Sequence, residues 1–136
     1  MTKVLDAWAV LAWIQNEQPA ATRVRQLLVE QSEGRLDLAM NVINVGEVYY
    51  RLYRLRGAEF ADSFIAELDN RVRSVDAPNW LVLEAARYKG RHRISYADAF
   101  AVATAIRERA PLVTGDPDFE AFHDDQTVRI EWLKTS

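Results

Sequence analysis

The chain has 136 residues, 49% hydrophobic and 27% charged, a globular composition sized for a single domain, expected over residues 1–136. Cysteine is absent and the only histidines are His92 and His123, which excludes a disulfide framework, a thiolate metal site and a three-histidine zinc site within one chain. Seventeen basic residues against twenty acidic ones give a net charge of −3, so bulk positive charge is not how this chain would hold nucleic acid.

Fourteen of the seventeen basic residues are arginine, whose planar fork of donors keeps local phosphate recognition open. Asp6 interrupts the apolar opening, so no secretory leader is expected, and no run approaches the ~18 apolar residues of a membrane span. A cytoplasmic location is the expectation.

Residues 3–5 read as a short buried strand and residues 7–15 as a helix. Pro19 opens a second helix that runs to Gly34. Residues 35–40 alternate as a strand, and Asn41 caps a helix continuing to Gly57, with a further helix over 59–69. Residues 71–75 read as a strand, Pro78 precedes a helix reaching Gly90, and residues 95–109 form an alanine-rich helix. Residues 111–114 and 128–133 are the last two strands. Short apolar strands alternating with amphipathic helices predict an α/β sandwich, a mostly parallel sheet of four or five strands flanked by helices. Functional residues of such sheets collect beyond the carboxyl ends of the strands.

Four acidic residues are candidates, two of them at strand ends where that rule points and two on helices that could cross the same edge, each with a structural alternative. Asp6 follows the first strand, where it is a metal ligand or an N-cap. Asp116, in Thr114-Gly115-Asp116-Pro117, follows another strand and has the same two readings, since Asp before Pro is a common helix start. Asp118 then falls in a first turn, where negative charge suits the helix dipole. Asp98 shares a face with Ala101, Val102 and Ala105, a small-residue stripe suited to packing. A carboxylate there is costly unless paired or metal-bound, although Ser95-x-x-Asp98 also matches a capping box. Glu47 lies in a polar stripe with Asn44, Arg51 and Arg54, and a Glu47–Arg51 pair at i, i+4 is its alternative.

Taken together, the four carboxylates suit one site. Clustered carboxylates repel unless a cation is present, and an all-oxygen donor set selects a hard ion such as Mg²⁺ or Mn²⁺. Such a site supports metal-assisted phosphodiester hydrolysis without a histidine base.

The order of these motifs resembles that of PIN-domain proteins, and in length that of the compact VapC-type toxins of bacterial toxin–antitoxin systems. The resemblance rests on Val4-Leu5-Asp6-Ala7, on Glu47 within Asn44-Val45-Gly46-Glu47-Val48, on Asp98 within Ser95-Tyr96-Ala97-Asp98-Ala99, and on Thr114-Gly115-Asp116-x-x-Phe119. It implies a PIN-like three-layer fold and a Mg²⁺- or Mn²⁺-dependent endoribonuclease acting on RNA. It also implies homodimerisation and inhibition by a cognate antitoxin protein. Asp6, Glu47, Asp98 and Asp116 become the metal-ligating catalytic set, with Thr114 and Asn44 supporting it. Two positions depart from the family pattern: Trp8 stands where Ser, Thr or Asn is usual, and Asn44 where Thr is common.

Arg51 on the Glu47 stripe, and Arg91 and Arg93 just before the Asp98 helix, are candidates for contacting RNA phosphates. Their alternative is a solvated basic surface. The aromatic middle helices and the four tryptophans read mainly as core. Two other functions compete. A signalling receiver domain would use Asp76 as phosphoacceptor but lacks a lysine after the penultimate strand. A PIN-like binding module without catalysis is the other: the complete acidic set argues against it, and Trp8 keeps it open.

Overall fold

The computed structural model describes residues 1–122 and 127–133; His123 lies outside them. In chain order the elements are β1 (Thr2–Leu5), α1 (Ala7–Ile14), α2 (Ala20–Ser32), β2 (Asp37–Asn41), α3 (Val42–Asp69), β3 (Arg73–Val75), α4 (Asn79–Arg91), α5 (Tyr96–Glu108), β4 (Leu112–Thr114) and β5 (Ile130–Trp132). A 3₁₀ helix, Pro117–Phe122, follows β4. The five strands form one sheet in the order β3-β2-β1-β4-β5, and every neighbouring pair is parallel. The mostly parallel sheet expected from the sequence is therefore wholly parallel among the described residues.

Side-chain alternation along the strands divides the core into two layers. Leu5, Leu38, Met40 and Val113 face one side, where they pack with α1, α2 and α3. Val4, Ala39 and Leu112 face the other, against α4, α5 and the pair Phe119 and Phe122. Burial of one such large apolar side chain contributes roughly 1.5–3 kcal/mol. Helix α5 is the most enclosed, buried from Asp98 to Ala105. Its alanines let it lie close to α4 and to the sheet.

Boundaries shift locally for identifiable reasons. β2 starts at Asp37 rather than 35, because Arg35 belongs to the turn that closes α2, donating its backbone N–H to the Glu30 carbonyl at 2.9 Å. Pro19 is the residue before the first helical position rather than that position itself. The two expected middle helices run on as α3, broken at Gly57, where φ is 85° and ψ is 175°. Only glycine adopts that conformation without strain. No helix among the described residues is long and apolar enough to cross a membrane.

Candidate metal centre

β1 and β4 are adjacent and parallel, so their carboxyl ends open at the same edge, at the point where the connections diverge left to β2 and right to β5. Asp6 leaves β1 there, and Thr114, Gly115 and Asp116 leave β4. α5 begins at the same edge with Asp98 in its first turn, and α3 brings Glu47 from the end of β2. A cleft of about 510 Å³ opens above, walled by Glu47, Asp98, Asp116, Trp8, Tyr50, Arg51 and Arg54 among others.

The capping and site readings of these acids turn out to be compatible. Asp6 caps α1, its Oδ1 accepting from the Ala9 N–H at 2.9 Å, while its Oδ2 accepts from the Thr114 hydroxyl. Thr114 Oγ1 in turn accepts the Asp116 N–H at 3.0 Å, so one hydroxyl ties the two strand ends together. Asp116 Oδ1 accepts the Asp118 N–H at 2.9 Å at the start of the 3₁₀ helix. Ser95 Oγ caps α5 by accepting the Asp98 N–H at 3.0 Å, which leaves the Asp98 carboxylate to face its neighbours.

Carboxylate oxygens of Asp98, Asp116 and Asp118 lie within 4.8 Å of one another. Glu47 is half-buried on the same cleft and pairs with Arg51, Nη2 to Oε2 at 3.3 Å. Asp6 is buried and is not part of the cleft wall.

Electrostatics mark the cluster as uncomfortable without a cation. Burial pushes the Asp6 carboxyl up to about 8, against the downward pull of the Thr114 and Ala9 hydrogen bonds, with the charges of Asp98 and Asp116 adding to the rise. Burial, then the charges of Asp116 and Glu47, push Asp98 up to about 7. Glu47 is raised by burial and by Asp116, and Arg51 opposes the rise. The charge of Asp116 thus bears on Asp6, Glu47 and Asp98 alike, and the donor set is oxygen throughout. That chemistry fits a hard divalent cation.

Two supporting contacts hold the halves of the site in register. Asn44 donates from Nδ2 to the Ala97 carbonyl at 3.0 Å, fixing the Glu47 helix to the first turn of α5. Its buried Oδ1 accepts no hydrogen bond from the described residues, so Asn44 serves as a donor alone. Asn41 caps α3 through the Ile43 N–H at 2.9 Å and donates to Thr104 Oγ1 on α5 at 3.1 Å.

Among the basic residues expected near the site, Arg51 lines the cleft, whereas Arg91 and Arg93 are not among its walls. The Arg91 guanidinium lies over the Tyr88 ring, 5.0 Å from its centroid, at the end of α4. Arg54, placed with Arg51 on the Glu47 stripe as able to reach phosphate or screen the carboxylates, also lines the cleft, whereas sequence reasoning left Asp118 out of the site. The spacing Asp116-x-Asp118 was visible, but a first-turn acid is explained equally well by the helix dipole. Arg54, one turn beyond Tyr50, lies with its guanidinium 5.1 Å from that ring's centroid.

The PIN domain profile matches residues 3–124. The chain belongs to the PIN domain family. No curated protein matches this PIN domain by sequence. Among solved structures it is similar to VapBC2 from Rickettsia felis, bound to a DNA fragment from the promoter, with a TM-score of 0.73 at 18% identity, covering 96% of this chain and 98% of that one. It is similar also to VapC20 from Mycobacterium tuberculosis, described as a Sarcin-Ricin loop cleaving toxin, with a TM-score of 0.71 at 18% identity over 88% and 93% of the two chains. A toxin–antitoxin complex from Klebsiella pneumoniae gives a TM-score of 0.68 at 13% identity over 93% and 94%. At such identities the likeness is one of fold, and the five-stranded parallel sheet with its flanking helices is the PIN-like architecture that the sequence motifs implied.

Proposed function

We propose that this PIN domain is a divalent-metal-dependent endoribonuclease and the toxin half of a toxin–antitoxin pair. The observation that carries the reading is the meeting of Asp98, Asp116 and Asp118 carboxylates beside Glu47 and the buried Asp6, with Asp98 and Asp6 held well above the ordinary carboxylate range. Asp6, Glu47, Asp98 and Asp116 form the ligand set, with Asp118 available as a further donor. A Mg²⁺ or Mn²⁺ held there would supply Lewis acidity toward phosphate and would lower the pKa of a water so that its deprotonated form could act as nucleophile.

The chain's own residues do the rest. Thr114 fixes Asp6 relative to Asp116 through its one hydroxyl. Arg51 balances Glu47 from the cleft wall and, with Arg54, provides the cationic rim along which an RNA backbone is held. A ribonucleic acid substrate agrees with the cleavage named for the similar VapC20. The expected partners, a cognate antitoxin and a second copy of this chain, belong to the same proposal. Tyr50, Tyr53 and Leu55 leave apolar surface exposed on α3, and the first and last of these reach the cleft.

The test is cleavage of single-stranded RNA by the purified chain with Mg²⁺, with Mn²⁺ and with chelator. Cleavage is expected only with metal, and Asp116→Asn should lower it roughly a hundredfold or more. Equal cleavage in chelator, or none by the unaltered chain with either ion, overturns the reading.

A further inference from the structure

Five glycines occur in the chain, and Gly115 differs from the other four. A Cβ added at Gly34, Gly46, Gly57 or Gly90 would meet nothing within 4 Å, and Gly34 and Gly57 owe their identity to a positive φ. Gly115 has no such backbone requirement. A Cβ there would lie 2.3 Å from Trp8 Cη2, 2.4 Å from Cζ3 and 2.9 Å from Cζ2, distances at which real atoms do not coexist. The outer edge of the indole therefore occupies the space that any side chain at 115 would need.

Gly115 is the middle of the turn that delivers Asp116. On one side Thr114 is held by its hydroxyl to Asp6 and by its carbonyl, which accepts the Leu133 N–H at 2.9 Å. On the other side lies Trp8, on the first turn of α1 and in the wall of the cleft. Hydrogen bonds fix Thr114 and Asp116 on either side, but Gly115 between them has no side chain with which to pack. The indole edge supplies a contact over the Cα of Gly115, where a smaller residue at position 8 would leave open space.

We propose that Trp8 is a positioning residue for the metal centre, acting through its contact with Gly115 to hold the Thr114–Asp116 turn so that Asp116 faces Asp98. The proposal rests on the metal-dependent reading above. It assigns Trp8, which also packs against the core beneath α1, a role in the order of the site, and it makes the pair Trp8 and Gly115 interdependent.

The experiment is a double-mutant cycle read by calorimetric titration with Mn²⁺ alone. Trp8→Ala and Gly115→Ala are each expected to weaken Mn²⁺ binding about tenfold, the range found when supports of metal ligands are removed. In the Trp8→Ala background, Gly115→Ala is expected to add less than about twofold, because the colliding ring is gone. RNA turnover by Gly115→Ala should lose kcat with KM held, since the cationic rim is untouched. Additive losses, or Mn²⁺ binding by either single variant as tight as the unaltered chain's, overturn the role. Should Trp8→Ala not fold, Gly115→Ala alone decides, with circular dichroism confirming its fold and unchanged Mn²⁺ affinity sinking the proposal. Failure of the unaltered chain to bind Mn²⁺ would instead remove the metal reading and this inference with it. Binding that Asp116→Asn abolishes but the cycle leaves unmoved removes the inference alone.

Discussion

At the amino end of the sheet, Asp37 on β2 is clasped by Arg73 on β3, with Nη2 to Oδ2 at 2.9 Å and Nε to Oδ1 at 3.2 Å, and Arg73 reaches on to Glu108 at the end of α5. Thr2 adds a hydroxyl to the same carboxylate at 3.1 Å. The Arg73 guanidinium holds Asp37 below the usual carboxylate range. At the carboxyl end of the same sheet, Asp98, Asp116 and Asp118 crowd together, and Arg51 is committed to Glu47. One end neutralises each acid with a neighbour's guanidinium. The other concentrates acids and leaves their repulsion to be relieved from outside. The first pattern is that of a closed structural junction, and the second is one whose chemistry suits a cation.

The largest break in this contrast comes from removing a charge at the crowded end. Asp98→Asn should cut metal-dependent RNA cleavage roughly a hundredfold or more while leaving the melting temperature unchanged or higher, because repulsion falls, the backbone cap from Ser95 stays, and an amide can still meet the Ser95 hydroxyl. Cleavage that survives in a variant that melts early would show Asp98 to be a structural residue only.

A pH series sharpens the same point. Folding raises Asp6 from 3.8 to about 8 and Asp98 from 3.8 to about 7, so between those limits the folded chain holds protons that the unfolded chain has released. Metal-free stability from these two groups is therefore full below about pH 4 and declines as pH rises through about 7 and 8. Thermal melts without metal should fall from about pH 4 to about pH 8 and level off above it, and the upward shift produced by Mn²⁺ should grow over the same range as protons give way to the ion. A Mn²⁺ shift that shrinks with pH would contradict the assignment of these carboxyls.

The smallest effect is expected at the paired end. Arg73→Gln breaks a half-exposed junction, which is worth about 1 kcal/mol or less after solvent screening, or a few degrees of melting temperature. Mn²⁺ affinity, measured by titration, should not change. A change would mean that the two ends of the sheet communicate.

Asp6, Asp98 and Asp116 stood out as candidates because strand ends and helix starts carry local signals: an apolar run closed by Asp, a Ser-x-x-Asp box, a Gly-Asp-Pro turn. The periodicity around Glu47, inside α3, suits a solvated stripe, and only the motif order drew it in. The β/α alternation was readable for the same reason, down to the break at Gly57. What could not be read depends on contacts between distant positions. Nothing near Trp8 in sequence announces that its ring fills the space over Gly115. Arg91 and Arg93 were adjacent to the Asp98 helix along the chain, yet α4 ends away from the cleft wall, because nearness in sequence says little across a helix-to-helix turn. Asp118 was seen and assigned to the dipole alone, a local explanation that hid its approach to Asp98.

Asp6 and Asp116 each spend one oxygen on a backbone N–H that starts the next element. Asparagine accepts such a bond about as well as aspartate, and alanine does not. A lineage relieved of selection for hydrolysis would therefore drift most easily to asparagine at positions 6 and 116, keeping its architecture while losing two negative charges. Among descendants of this chain, silent copies should be recognisable by amides standing where acids stood, long before their folds decay.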